Sequence, residues 1–377
     1  MNRVTIYAAA LSATLFLAHS IASAQGVTVF EEKMSGYAGF RIPAVVKAAD
    51  GSVLAFAEAR RNGKGDAGDI DLVMRRSADD GKTWSEMQTV WDDGGNTCGN
   101  PAPVVLGDGT IVMLMTWNLG NDHERDIENY RSADTRRVFV IRSADDGHTW
   151  SAPEEITGSV KRPDWGWYAT GPCHAIVKTR NPHRGRIIVP SNHSEAGADG
   201  KPVSRSQIIY SDDGGRTWTL GAVTEVRGNE STVAELKDGS LLLNMRRSTP
   251  SDSVRFYAVS RDGGESFSEQ GRMQDLVEPR CQGSMLGLMT RSGKSSRTLL
   301  FSNPRSLKRE NLCLTRSDDN GRTWKELEQI YRANAAYSDI VMLSPGCAGV
   351  LYENGEAGNT YKRISFVTVD IDDKSVR

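Results

Sequence analysis

Five short segments of this 377-residue chain put charged or hydroxyl-bearing side chains where apolar runs begin or end. They are Phe40-Arg41-Ile42-Pro43, Asn229-Glu230-Ser231, Asn244-Met245-Arg246, Arg309-Glu310-Asn311-Leu312 and Tyr337-Ser338-Asp339. Guanidinium groups stay charged and present planar forks that match a carboxylate. Several of them brought to one place repel one another, so such a pocket is poised for an anion. A sixth segment, Gly63-Lys-Gly-Asp66-Ala-Gly-Asp69-Ile-Asp71, offers three carboxyl groups on a glycine-rich loop, where one can carry a proton to or from a reacting oxygen. Other chemistries lack their residues. There is no His pair, no Cys/His cluster at metal-ligand spacing and no glycine-rich phosphate loop, so no cofactor and no metal is expected.

The elements that must position these side chains are announced by an internal repeat. Ser77-Ala-Asp-Asp-Gly-Lys-Thr-Trp84 recurs from Ser143, Ser211 and Ser317, with a degenerate copy from Ser260 to Phe267, at intervals of 66, 68, 49 and 57 residues. Each copy lies between two β-rich runs, such as Asp71–Arg76 and Glu86–Trp91, and so reads as a β-hairpin tip. The Asp carboxylate accepts hydrogen bonds from the turn's own N–H groups, Gly permits positive φ, and the closing Trp buries its ring. These Asp-boxes are structural staples. Two further strands precede each hairpin, for example Ala102–Leu106 and Thr110–Trp117, giving four strands per repeat. The expected fold is therefore all-β: one six-bladed β-propeller of four-stranded antiparallel blades over residues 25–377, with Val27–Glu31 completing the last blade. Inner-strand ends converge on the axis of such a fold, which is where the segments named above fall.

Bulk properties narrow the partners. A net charge of -2 gives no electrostatic reason to expect nucleic acid. Residues 1–24 read as a signal peptide: Arg3, an apolar stretch from Ala8 to Ala18, and Ala22-Ser23-Ala24 before Gln25. His19 and Ser20 cut that stretch well below the ~20 residues of a membrane span. An exported, periplasmic or secreted monomer without membrane insertion follows. Of Cys98, Cys173, Cys281, Cys313 and Cys347, one disulfide pair is conceivable, with buried free thiols as the alternative.

Phe-Arg-Ile-Pro followed by multiple Asp-boxes resembles the sialidase (neuraminidase) family, and the likeness covers essentially the whole mature chain. The resemblance implies a retaining exo-α-sialidase acting on sialylated glycans. It makes Arg41, Arg246 and Arg309 a triad that grips the carboxylate on the anomeric carbon of sialic acid, with Glu353, helped by Glu58, holding Arg41. Arg305 competes for the third place. Tyr337 takes the role of nucleophile, Glu230 of its base and Asp66 of general acid/base, with Asp69 and Asp71 as alternatives to Asp66. A Tyr nucleophile sets sialidases apart from the two-carboxylate scheme of most glycosidases; a phenol is neutral until it attacks and needs a nearby base. The same resemblance puts Arg60 by the 4-hydroxyl and Asn100 near the N-acetyl group. Trp165, Trp167 and Tyr168 are read either as an aromatic wall near the glycerol chain or aglycone or as loop packing, and His174 as a structural residue. Two relatives of this reading are a trans-sialidase and a hydrolase of a related nonulosonic acid (KDN or Kdo); a non-catalytic sialoglycan-binding propeller is a reading of another class.

Overall fold

The computed structural model describes residues 26–249 and 251–371; the leader expected at 1–24 lies outside them. The described chain is all-β apart from short helical turns, the longest at Glu124–Glu128 and Thr157–Val160. Strand pairing follows a meander. Gly39–Lys47, Val53–Arg60, Ile70–Ser77 and Gln88–Trp91 pair in sequence order, and Thr97–Val105 begins the next such group, its strand pairing with the first made at Ile70 and Thr97. A third group is centred on Ile187–Ala196, whose inner partner is split into Tyr168–Thr170 and Ile176–Val177. Gly228–Glu235 opens the fourth group and Ser284–Met289 the fifth. The long strand Lys325–Ser344 first pairs with Glu310–Ser317 and then, from Ala335 on, with Cys347–Glu356. Asn359–Asp370 follows, and Val27–Glu31 pairs on its outer side, as expected.

The hairpin tips form as their composition dictates. Asp79 accepts hydrogen bonds from Ser77 Oγ at 2.8 Å, Thr83 N–H at 2.9 Å and Thr83 Oγ1 at 2.7 Å. Asp145, Asp213, Asp262 and Asp319 hold the same station in the other four boxes. Each tip also packs onto a neighbouring group of strands. A Cβ on Gly147 would stand 2.8 Å from Leu54, and one on Gly81 only 2.2 Å from the ring of Phe366, near the far end of the chain. Trp84 meets that same ring edge-on at 5.4 Å between centroids.

At the centre, the fully buried Asp339 collects donors from widely separated strands. Its carboxylate accepts the N–H groups of Val45 (2.9 Å) and His174 (3.0 Å) and the hydroxyl of Ser284 (2.7 Å), while His174 Nδ1 lies 2.7 Å away. A buried carboxylate is tolerated only when its lone pairs are satisfied in this way. His174 is thus a strut, as expected. All five cysteines are free thiols.

Candidate active site

The inner strand ends open onto a cavity of about 610 Å³ whose walls are mostly polar side chains. Arg41, Asp66, Glu230, Arg246, Arg309 and Tyr337 all line it, together with Arg60 and Asn100.

Arg41 leaves its strand beside Glu353, fully buried on Cys347–Glu356. The Nε of Arg41 donates to Glu353 Oε1 at 2.7 Å; the same oxygen takes the N–H of Ile42 at 2.9 Å and Oε2 takes that of Tyr337 at 3.1 Å. To do this Ile42 adopts φ 59°, a left-handed conformation that a β-branched side chain avoids. Strain of that kind persists only where the surroundings over-determine it. One buried carboxylate therefore sets both an arginine and the tyrosine.

Tyr337 is almost fully buried, and its hydroxyl donates to Glu230 Oε1 at 2.5 Å. Arg246 Nη1 reaches both partners, 2.5 Å from Glu230 Oε2 and 3.0 Å from the Tyr337 oxygen. The guanidinium carbons of Arg41 and Arg309 stand 5.0 and 5.5 Å from the centre of the Tyr337 ring. Three cations thus surround one phenol. Burial, then the Glu230 charge, drives the Tyr337 pKa well above that of free tyrosine, opposed by Arg246, Arg309 and Arg41. The ring rests protonated and bonded to a carboxylate acceptor.

Asp66 faces this group from the glycine-rich loop, half exposed, with Arg60 Nη1 at 2.7 Å and Arg41 Nη1 at 3.9 Å. Burial raises its pKa, but the two arginines and the Arg60 hydrogen bond outweigh it and hold the carboxyl below the usual range. Asp69 and Asp71 do not line the cavity; both pair with Arg61, and the buried Asp71 also accepts the Tyr37 hydroxyl. Arg305 likewise lies elsewhere, against Glu326 at 3.1 Å.

Two readings need correction. Glu58 grips Arg60 at 2.6 Å and the Asn100 N–H at 3.0 Å and makes no hydrogen bond to Arg41, which Glu353 holds, because Arg60 is the guanidinium on its own strand two residues on. The aromatic wall reduces to Trp167. Trp165 is buried with its ring stacked on His193, and Tyr168, at the start of the strand Tyr168–Thr170, is buried in the same core cluster. The cysteines follow the free-thiol alternative, with no two thiols bonded.

Other residues were not legible beforehand. Arg136, buried, lies with its guanidinium carbon 4.0 Å from the Trp167 ring centre, donates to Thr116 Oγ1 at 2.8 Å and contacts the Asn100 amide oxygen. Burial lowers its pKa to about 10. Tyr361 accepts Arg309 Nη1 at 2.5 Å and lies under Arg41, 4.0 Å from ring centre to guanidinium carbon. Glu124, on the short helix Glu124–Glu128, adds a carboxyl to the mouth; burial, Glu128, Asp66 and Glu230 raise its pKa to about 7. The only sequence signal for Arg136 is its place just ahead of an apolar strand. Among the described residues, no group of three or more His, Cys, Asp or Glu side chains is arranged to hold a metal ion.

A cavity floored by a Tyr–Glu pair inside three arginines invites comparison with known proteins. A BNR repeat-like domain model matches residues 44–350. The chain is 30% identical over 287 residues to a sialidase of Clostridium perfringens, a match that covers 72% of each. The chain belongs to the sialidase family. A sialidase of Bacteroides fragilis (strain YCH46) is 30% identical over 359 residues, which are 90% of this chain and 64% of that one. The chain thus spans less than two thirds of that relative's length. Among solved structures, the Hadza microbial sialidase Hz136 superimposes with a TM-score of 0.79 at 28% identity, covering 92% of this chain and 68% of that one.

Proposed function

We propose that this sialidase-family chain is a retaining exo-α-sialidase that hydrolyses terminal α-linked N-acetylneuraminic acid from glycoproteins, glycolipids and oligosaccharides. The observation that carries the reading is the 2.5 Å bond from Tyr337 to Glu230 with Arg41, Arg246 and Arg309 gathered about the same ring. An anomeric carboxylate entering the cavity is held by the three guanidiniums. Tyr337 Oη then attacks the anomeric carbon while Glu230 takes its proton, so that no free phenolate has to form in a buried site. The bond to the leaving oxygen breaks as Asp66 delivers a proton to it. In the second half Asp66 removes a proton from water, water displaces Tyr337, and Glu230 returns the proton to the phenolate; the two displacements retain configuration.

Asp66 needs a proton for the first half although Arg60 and Arg41 hold it ionised in the empty cavity. The incoming carboxylate supplies the remedy: it engages Arg41 and adds a negative charge close by, and both effects raise the Asp66 pKa. Arg60 and Asn100 are assigned to the 4-hydroxyl and N-acetyl sides, and Arg136 with Trp167 to the latter.

The architecture that suits this chemistry is a six-bladed propeller over residues 25–377, closed where Gly81 and Trp84 pack on Phe366. The leader at 1–24 would send a monomer to the periplasm or medium. Among the described residues no helix is long and apolar enough to cross a membrane.

A fluorogenic sialoside tests the reading. The wild type turns it over, releasing α-sialic acid first by NMR, and Tyr337→Phe loses at least ~10³-fold in kcat. A correctly folded wild type without turnover makes the chain a binding propeller instead. Sialylation of added lactose would reassign it as a trans-sialidase.

A further inference from the structure

Positive charge in the cavity does not end with the three arginines about Tyr337. Arg280 also lines it, on the turn between Glu269–Val277 and Ser284–Met289. Its carbonyl oxygen accepts Arg309 Nη2 at 3.1 Å, which fixes the turn beside that arginine. The Arg280 guanidinium itself makes no hydrogen bond or ion pair among the described residues. Partial burial first, then nearby Arg246 and Arg247 and, more weakly, Arg309 disfavour its charge against an opposing pull from Glu278, so it is a cation that gains from an anion.

The turn that carries it is built, not loose. Arg280 adopts φ 56°, left-handed for a residue with a Cβ. On its inner side the fully buried Glu278 takes the N–H of Cys281 at 2.9 Å and the N–H of Arg247 at 2.6 Å. The Cys281 carbonyl takes Arg255 Nη1 at 2.8 Å, and the Cys281 side chain packs with Ile42, Ala336 and Tyr337. A clamp of this kind fixes the backbone from which the arginine projects.

Depth decides what it meets. Arg41 is 6% exposed at the floor, whereas Arg280 is exposed at the rim. An exo-acting enzyme holds the terminal sugar on the floor, so a group at the rim faces the part of the substrate that will leave. Glu124 and Glu128 also line the mouth and, when ionised, disfavour an anion near themselves, which leaves Arg280 as a place where one is accepted. Resting on the sialidase reading above, we propose that Arg280 forms a second anion subsite, selecting substrates whose leaving group bears its own carboxylate or sulfate.

The experiment compares kcat/KM of the wild type, Arg280→Gln and Arg280→Lys on three substrates. These are 3′-sialyllactose (neutral leaving group), α2,8-linked disialic acid (carboxylate) and a sialyl-lactosamine sulfated on its penultimate sugar. Arg280→Gln is expected to lose about tenfold on one or both anionic substrates and less than about twofold on 3′-sialyllactose, with Arg280→Lys recovering most of the loss. Which anionic substrate responds identifies the group that Arg280 receives. Equal losses on all three would mean that Arg280 merely supports Arg309, and no loss on any that it contacts no leaving group; either result overturns the subsite. A wild type inert towards all three overturns the sialidase reading, and the subsite with it.

Discussion

Arg41 and Glu353 stand 312 residues apart in the chain and 2.7 Å apart in space, and the same carboxylate also takes the N–H of Tyr337. Cutting this link should therefore disturb anion binding and nucleophile placement together. Glu353→Ala leaves a buried guanidinium uncompensated and should cost about 3 kcal/mol of stability by chemical denaturation. Its kcat/KM should fall by roughly 10²-fold or more, while Glu353→Gln, which keeps the acceptor oxygen for Ile42, should lose less.

The role of Asp66 is checked through the leaving group. A nitrophenolate or fluorogenic leaving group departs without help from an acid, whereas the alkoxide of lactose does not. Asp66→Asn should lose roughly 10²–10³-fold on 3′-sialyllactose and far less in the first step with an aryl sialoside, measured as a pre-steady-state burst. Asp69→Asn should leave both rates within about twofold, since Asp69 pairs with Arg61 away from the cavity.

Burial and the neighbouring Glu128, Asp66 and Glu230 push the Glu124 pKa up to about 7, which makes it mainly neutral below that pH and charged above it. Its ionisation adds a negative charge to a mouth that must admit an anion. KM for a sialoside should rise as pH passes upward through about 7, and Glu124→Gln should flatten that rise while leaving kcat near its wild-type value. An unchanged KM profile in the variant would remove Glu124 from the account.

The Asp-boxes predict acid behaviour of the opposite sign. The N–H of Thr217, its hydroxyl and that of Ser211 pull Asp213 down to about 2, and Thr83 and Ser77 do the same for Asp79. A carboxyl held below its unfolded value stabilises the fold above that value and loses the contribution as pH falls towards about 2. Melting temperature should drop steeply between about pH 4 and 2. Asp213→Asn should lower it by about 3 °C at pH 7 and by less at pH 2.

The boxes were legible because everything they need lies within eight residues: Ser77, Asp79, Gly81 and Thr83 bond to one another. The strand-end motifs were legible for a related reason, since an Arg or Tyr interrupting an apolar run asks for an explanation. Arg136 and Tyr361 gave no such sign. Each is one polar residue near a strand terminus, and its importance comes only from Asn100, Trp167 or Arg309 arriving from elsewhere in the chain. Glu58 showed the limit from the other side: its sequence could not say which of two arginines it would hold. The Trp165–Tyr168 cluster stayed undecided between wall and packing because composition marks an aromatic but not the direction it faces.

Asp339 also bears on how the molecule comes into being. It needs Val45, 294 residues upstream, and Ser284, 55 residues upstream, before its charge is answered. No early fragment of the chain can seat such a keystone, and a half-assembled one would harbour a stranded anion. Assembly should consequently be slow and all-or-none, with proteolytic pieces unable to persist on their own.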